Sequence, residues 1–508
     1  VRTHANNYSK KRLIPTRHAL ALKKAARLER IETRYTVVDE KDKQLRTHKD
    51  FWDHQLQNFK FLWKVGCAAL FLDMGLGKTT IILSWVKALI NKRKIKRPVL
   101  LVGPIRVIYG VWAQEAQEWK HLRSLRFSIV HGTVAERLAA LDVHADFYMI
   151  NPESLVWLLR LFRSRRARAN WPFDVLVIDE SSMFKSVAAK RFRALRYFCP
   201  LFKHRAVCSG TPRPNSLIEI WTQMYIVDLG KRLGTSFDVF KNRFFLPVGE
   251  GNKYVPRRTS EKKIYKLIDD VAVTMKLSDW KTDTPPTLIN PIVIDLPPHA
   301  RALYDKFEKE LFLKLDQGDV RAFNAASLTG KCQQIANGAI YTIERETETT
   351  IWEHVHDAKL EALRDVIDET GSPILAAYWF KHDLARLRHA FPDAAVFSRK
   401  NLDTLESEWN NNKHDLALAF PRTVAYGGNL QKGLGCTIAW FSLTWSYELF
   451  DQMNSRIGGA RARRPVMVHQ IIARNTIDEA MIISLRAKAN GNSEFMSALT
   501  KYRRRKAA

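Results

Sequence analysis

The 508 residues predict an α/β protein with two parallel-sheet blocks, and three observations carry that expectation. Short apolar runs alternate with helix-length amphipathic stretches from Cys67 to Thr211, and again from about residue 357. That alternation is the pattern of parallel strands with crossover helices on both faces. Every polar motif of the first block follows its strand, which is where an open parallel sheet binds ligands. Between the blocks, residues 229–285 break the rhythm with many Lys, Arg, Phe and Tyr and a Thr284-Pro285-Pro286 stop. The expected boundaries are a basic arm over 1–44, a first lobe over 45–228, a helical connector or protrusion over 229–285, a second lobe over 286–485 and a basic tail over 486–508.

The first block is organised around Phe71 to Thr80. Cys67–Leu72 reads as a buried strand and Ile81–Ile90 as a helix, with Phe51 to Phe59 leading in as a helix. The glycines of Met74-Gly75-Leu76-Gly77-Lys78-Thr79-Thr80 let backbone amides close around phosphate oxygens. Lys78 would reach the β- and γ-phosphates, and the Thr79 hydroxyl would hold Mg²⁺. Leu72 stands where the strict G-x-x-x-x-G-K-[ST] pattern has its first glycine. Further strands are expected at Pro98–Val102, Phe147–Ile150, Val175–Ile178 and Ala206–Ser209, with a helix over Val107–Trp119. In the second block, Asp295–Leu315 reads as a strand-to-helix unit and Ala358–Thr370 as a helix. Strands follow at Pro373–Tyr378, Asp415–Phe420, Ala439–Phe441 and Val466–Ile471.

Lys and Arg number 82 against 52 Asp and Glu, a formal net charge of +30. Such a field favours a polyanion, with DNA or RNA as the leading partner. The 46% hydrophobic content fits a folded chain. Five scattered cysteines form no zinc spacing and point to a reducing, cytoplasmic setting. The pair His354 and His356 reads as a surface loop. No apolar run approaches a membrane span, and the first residues lack the apolar core of a secretory signal. Ala19–Arg34 fits a basic helix laid on DNA or a solvated one.

Asp179-Glu180 follows the buried triplet Leu176-Val177-Ile178. Two acids ending such a strand suit Mg²⁺ binding by Asp179 and orientation of water by Glu180. With Gly75 to Thr79 they read as a nucleotide-hydrolysing pair.

Met74 to Thr79, Asp179-Glu180-Ser181-Ser182, Ser209-Gly210-Thr211-Pro212 and Gly428-Asn429-Leu430-Gln431 occur in the order found in superfamily-two helicases. The chain most resembles the Swi/Snf (Snf-two) branch, especially its compact phage versions, over roughly residues 50 to 485. The resemblance implies two RecA-like lobes, with ATP and Mg²⁺ as ligands and a bacterial cytoplasm as the setting if phage-encoded. It implies that Gln55 reads adenine. Pro104, Asn151, Pro152, Ser209 and Thr211 would serve DNA from the first lobe, and Lys381, Asn429, Gln431 and Trp445 from the second. Trp445 fits either a stacking platform or the core. Gln452 and Arg456 match Q-x-x-x-R. The family's second arginine falls on Gly459, so either Arg461 swings into place or the finger is weakened. Arg160, Arg163, Arg165, Arg166 and Arg168 read as DNA contacts, whereas Lys92 to Arg97 reads as a solvated turn. The expected activity is a monomeric DNA-dependent ATPase moving on double-stranded or branched DNA. The alternatives are an ATP-switched scaffold and a strand-annealing or branch-migration factor.

Overall fold

The computed structural model describes residues 45–105, 107–210, 216–247, 254–276, 285, 287–316, 322–343, 350–425, 429–458 and 464–489. The basic arm, and the tail beyond 489, lie outside the described residues. The chain divides into two compact units, Val1–Arg213 with Leu217–Trp280, and Pro214–Ser216 with Lys281–Ala508.

The first unit begins with α1 (Asp53–Val65), β1 (Cys67–Leu72), α2 (Lys78–Asn91), β2 (Val99–Val102), α3 (Trp112–Glu118), β3 (Phe127–Val130) and α4 (Val134–Asp142). It continues with β4 (Phe147–Ile150), α5 (Pro152–Leu161), α6 (Arg165–Ala169), β5 (Val175–Asp179), α7 (Lys190–Phe198), β6 (His204–Ser209) and α8 (Ile220–Asp228). Helix α9 (Phe237–Phe244), the antiparallel pair β7 (Phe245–Pro247) and β8 (Tyr254–Pro256), α10 (Ser260–Ile268) and β9 (Ala272–Met275) complete it. Seven strands lie in the order β3-β4-β2-β5-β6-β1-β9, every neighbour parallel. Alternate residues of β1 enter opposite cores, Ala69 and Phe71 on one face, Ala68, Leu70 and Leu72 on the other. Burial on both faces is why β2, β4 and β5 read as unbroken apolar runs.

Three expectations change here. The stretch 229–285 is no free connector, because β9 pairs with β1 as an edge strand, Ala69 opposite Ala272. Among its apolar side chains, Phe240, Phe244, Phe245, Ile264 and Ile268 are core residues, buried in the first unit. The helix expected over Val107–Trp119 opens as a π-helical turn, Val107–Val111, before α3. Strand β3, with only Ser128 and Val130 buried, is an addition to the expected strands, because four residues buried on one face leave no apolar run in the sequence.

The second unit runs β10 (Thr287–Ile294), α11 (Pro298–Asp316), α12 (Ala322–Asn337), a hairpin of β11 (Ala339–Ile343) and β12 (Thr350–His354), α13 (Ala358–Thr370), β13 (Ile374–Ala377), α14 (Lys381–Ala390) and β14 (Ala395–Phe397). Then come α15 (Leu402–Asn410), β15 (Leu416–Ala419), α16 (Pro421–Ala425), β16 (Thr437–Trp440), α17 (Tyr447–Asn454), β17 (Val466–Ala473) and α18 (Ile477–Ala489). Its sheet has the order β10-β17-β16-β13-β15-β14, again parallel throughout. The surface loop expected at His354 and His356 is instead a strand end. His356 is buried, with Nε2 donating to the Ile335 carbonyl at 2.9 Å.

Candidate nucleotide site and nucleic-acid interface

Strand β1 ends at Leu72 and α2 begins at Lys78, so Asp73–Gly77 reverses the chain within five residues. Gly75 (φ +84°) and Gly77 (φ +75°) take the left-handed conformation that this turn needs. Gly77 caps α2 without a side-chain acceptor, so the first turn of a 14-residue helix presents its amides to the loop. Lys78 folds back over that loop, its Nζ donating to the carbonyls of Leu72 at 2.6 Å and Asp73 at 3.0 Å.

Helix α1 braces the loop from outside. His54, fully buried, donates from Nε2 to the Leu76 carbonyl at 3.0 Å. Burial pushes its pKa below the usual range against the opposing pull of that hydrogen bond, which keeps the ring neutral at pH 7. Gln55 lies against Gly77, where an added Cβ would strike its amide nitrogen. Its Oε1 accepts from the Trp52 amide at 3.0 Å. Gln55, expected on adenine, thus stands beside the phosphate loop. His54 escaped the sequence reading, although His54, Asn58 and Leu62 recur at helical spacing and a buried imidazole there needs a partner.

The acid pair closes the same end of the sheet. Asp179 Oδ2 accepts from Trp112 Nε1 at 2.9 Å. Glu180 is left-handed (φ 62°, ψ 68°), a conformation that costs a non-glycine residue on the order of 1 kcal/mol. Its Oε1 accepts from Ser182 Oγ and Ser209 Oγ, both at 2.7 Å. The ends of β5 and β6 are thereby joined through the carboxylate.

Thr80 departs from its expected cofactor contact. It is buried, and its hydroxyl donates to Glu115 Oε1 at 2.5 Å, because the third residue of α2 faces α3. Leu76 is likewise an apolar anchor in the core, and only its backbone belongs to the loop face. Met74 sits against Gly210 at the end of β6.

Among the described residues, no group of three or more His, Cys, Asp or Glu could hold a metal. Mg²⁺ in phosphoryl-transfer sites takes one or two carboxylates and completes its shell with water and phosphate oxygens. The Thr79 hydroxyl and the Asp179 carboxylate are a donor set of that kind.

Several residues expected on DNA are covered. Ser209 is fully buried and serves Glu180, so a direct DNA contact is corrected to a position behind the acid pair. Asn151 and Pro152 are buried at the start of α5, with Asn151 Nδ2 donating to Glu153 Oε2 at 2.7 Å. Pro104 is half-buried after β2, its carbonyl accepting from Ile108 N at 3.1 Å. Thr211 lies outside the described residues. The arginines after Asn151 are also relocated. Strands β4 and β5 are parallel to β2, so α5 returns the chain across about 15 Å to the opposite edge of the sheet. Arg163, Arg165, Arg166 and Arg168 therefore stand at the edge away from the phosphate loop.

In the second unit, Arg456 donates from Nε to the Ala425 carbonyl at 3.1 Å. Gln431 Nε2 donates to the carbonyls of Ser455, at 2.8 Å, and of Gly458. Leu430 N donates to the Arg456 carbonyl at 3.1 Å, which stitches Asn429–Gln431 to the turn bearing Arg456. Asn429 itself receives Asn410 Nδ2 on its carbonyl at 2.7 Å. Gln452 is buried, its Oε1 without a hydrogen-bond partner among the described residues. Gly459 and Arg461 lie outside the described residues.

Lys381 is exposed at the first position of α14, where the helix dipole disfavours a cation. Trp445 is half-buried against two cores, and its carbonyl accepts from Lys488 Nζ at 2.7 Å. Helix α12 holds both loops. Gln333 Nε2 donates to the Leu443 carbonyl at 2.8 Å, and Asn337 Nδ2 to Ser442 Oγ at 2.6 Å and to Asp383 Oδ2 at 3.2 Å. Asp383 Oδ2 in turn accepts from Phe380 N at 2.9 Å, just before Lys381. Fully buried Lys359 completes the set, donating to Asn337 Oδ1 at 2.9 Å and pairing with Asp478 Oδ2 at 2.7 Å.

A family model, SNF2-related domain, matches residues 54–354. Protein p41 of Acyrthosiphon pisum secondary endosymbiont phage 1 is 37% identical over 429 residues, spanning 80% of this chain and 90% of that protein. YwqA of Bacillus subtilis (strain 168), whose name describes an ATP-dependent helicase/translocase, is 24% identical over 451 residues. That match covers 85% of this chain but 46% of YwqA, so the chain spans about half the length of this relative. A solved structure of the Sulfolobus solfataricus SWI2/SNF2 ATPase core in complex with dsDNA aligns over 87% of this chain and 92% of that one, at 21% identity and a TM-score of 0.40. No helix among the described residues is long and apolar enough to cross a membrane.

Proposed function

Because this chain belongs to the SNF2-related domain family and is an enzyme of the ATPase and helicase type, we propose that it is an ATP-driven motor that moves along double-stranded or branched DNA. The observation that carries the reading is the carboxylate of Glu180, gripped by hydroxyls from its own turn and from the end of β6. A base that orients water must be held by groups that move with the site it serves. The loop Met74 to Thr79 would bind the triphosphate through its amides and Lys78. Mg²⁺, held by Thr79 and Asp179, would neutralise charge on the phosphate oxygens. Glu180 would orient the attacking water and take up its proton. Arg456 would supply the second unit's guanidinium to the γ-phosphate, with Gln452 beside it and Arg461 as the candidate second arginine. Lys381, Asn429, Gln431 and Trp445 would serve the DNA backbone from the second unit, and Pro104 with Thr211 from the first.

The deciding measurement is the ATPase rate with single-stranded, duplex and branched DNA. Duplex or branched DNA should stimulate turnover, and Lys78→Ala or Glu180→Gln should lower it by about 10²–10⁴-fold while leaving DNA affinity nearly intact. An ATPase indifferent to every DNA would reject the motor and leave an ATP-switched scaffold. Displacement of a third strand from a triplex, without separation of a forked duplex, would identify tracking; the converse would identify unwinding.

A further inference from the structure

The first unit carries a concentration of positive charge that the motor does not use. Three segments meet at the edge of its sheet opposite the phosphate loop: 91–98 before β2, 160–174 before β5 and 196–204 before β6. The first two hold five Lys or Arg each and the third holds two, and together they hold one acid, Asp174. Their meeting is fixed by hydrogen bonds, Asp174 N donating to the Pro98 carbonyl at 3.1 Å and Lys203 N to the Asp174 carbonyl at 2.8 Å. Asp174 is buried, and its Oδ2 carries the side-chain contacts. It accepts from the backbone amides of Lys96 at 2.7 Å and Arg97 at 3.0 Å, and from Lys203 Nζ at 3.1 Å. The one carboxylate of these three segments thus organises backbone, and Asp146 before β4, the neighbouring acid, is paired with Arg126 at 3.4 Å, so the long cations of the segments stay un-neutralised. Lys92, Arg93, Lys96 and Arg97 on one side, and Arg163, Arg165 and Arg166 on the other, are exposed with no ion pair among the described residues.

Two features separate this edge from an ordinary solvated turn. Arg93 occupies a left-handed position (φ 52°) just past the end of α2, where glycine or asparagine is the relaxed choice. Its amide and that of Lys94 close the helix onto Ile90 and Leu89, both at 2.9 Å, so the geometry is built and the arginine is the strained element in it. Attraction to the negative end of α2 favours Lys92 to Lys94. It gives no account of Lys96 and Arg97, nor of α6, whose five residues include three arginines at both of its ends. Cations here also rest on aromatic faces. Lys94 Nζ lies 4.2 Å from the Trp63 ring centre, and the Arg168 guanidinium 4.0 Å from that of Tyr197. Tyr197 is the one large apolar side chain exposed in the three segments. A surface with so much charge and no apolar patch lacks the core that a protein partner would bury, and matches a phosphate backbone.

We propose that this edge is a second docking surface for duplex DNA, distinct from the track gripped by the motor loops, so that one molecule holds two DNA segments. The inference rests on the DNA-motor reading only for the identity of the first segment. The test uses the full chain with two short duplexes of unrelated sequence, one fixed to beads and one fluorescent. Wild-type protein should retain the fluorescent duplex on the beads. The triple variant Arg93→Gly, Arg97→Gln, Arg166→Gln should lose at least tenfold of that retention, while DNA-stimulated ATPase at saturating duplex stays within about twofold. Its melting temperature should not fall, since glycine relaxes the left-handed position. Equal retention by the variant would overturn the proposal, as would a parallel fall in stimulated ATPase, which would make this edge part of the track. Displacement of the second duplex by poly-glutamate as readily as by unlabelled DNA would assign the edge to an acidic protein instead. Absence of DNA stimulation in both proteins would reject the motor, and the retention comparison would still decide the edge.

Discussion

Among the described residues the hydroxyls of Ser182 and Ser209 hold Glu180, and only Ser182 belongs to its own turn. Ser209 reaches it from the next strand, so Ser209→Ala should act on catalysis rather than on binding. Losing one hydrogen bond to a charged group costs about 1.5–3 kcal/mol, or roughly ten- to a hundredfold in rate if the bond persists in the transition state. Steady-state kinetics should show kcat falling by that factor with KM for ATP little changed; an unaltered kcat would detach Ser209 from the chemistry. Gly77→Ala should do the reverse. A left-handed Cβ there costs on the order of 1 kcal/mol and strikes Gln55, so KM for ATP should rise more than kcat falls. The contrast separates what the sequence makes legible from what it does not. Gly77, Lys78, Asp179 and Glu180 stand at strand ends in a spacing that chemistry dictates. Thr80 and Ser209 were misplaced because the direction in which a side chain points at a helix start or strand end depends on neighbours distant in sequence.

Helix α12 shows the same limit one level up. Nothing in its sequence announces that Asn337 and Gln333 hold the loops before Lys381 and around Trp445. Those partners lie more than forty residues away, and only the packed sheet brings them together. Strands buried on both faces were readable as apolar runs, whereas β3, β14 and the edge strand β9 were not, since an edge needs little apolar sequence. The buried ionic set makes a stability prediction. Lys359→Met leaves Asp478 charged and uncompensated in the core, which should cost about 3–5 kcal/mol in urea unfolding of the chain. A smaller loss would show that the pair is hydrated in solution. His356 adds a pH dependence. Its Nε2 donates to the Ile335 carbonyl and its Nδ1 accepts from Ala358 N at 3.3 Å, an arrangement that only the neutral ring can make. Burial pushes its pKa down to about 4, below the roughly 6.5 of the unfolded chain. The unfolded state therefore binds more protons between those values. The stability that His356 contributes is complete above about pH 6.5 and is lost as pH falls toward 4, by up to about 3 kcal/mol. His356→Gln should flatten that part of the urea midpoint against pH, and an unchanged slope would move the effect to another histidine.

A net charge of +30 acts on the molecule's dealings with DNA more than on its chemistry. Contacts to phosphates release condensed counterions, so affinity falls steeply with salt and hardly depends on sequence. If the chain neutralises six to ten phosphates, its affinity for duplex should drop by about 10³–10⁵ between 50 and 200 mM salt. Unrelated sequences should lose it alike. Turnover at saturating DNA and ATP should behave differently, because Lys78 is folded onto its own loop and Glu180 is held by short hydrogen bonds inside the unit, where screening is weak. The DNA concentration giving half-maximal ATPase should therefore rise by orders of magnitude with salt while the plateau moves less than about threefold. If the plateau fell in step with affinity, a screened charge would have to take part in the rate-limiting step itself. The exposed cations would then belong to the engine, and the separation of grip from hydrolysis that the internal hydrogen bonds suggest would be wrong.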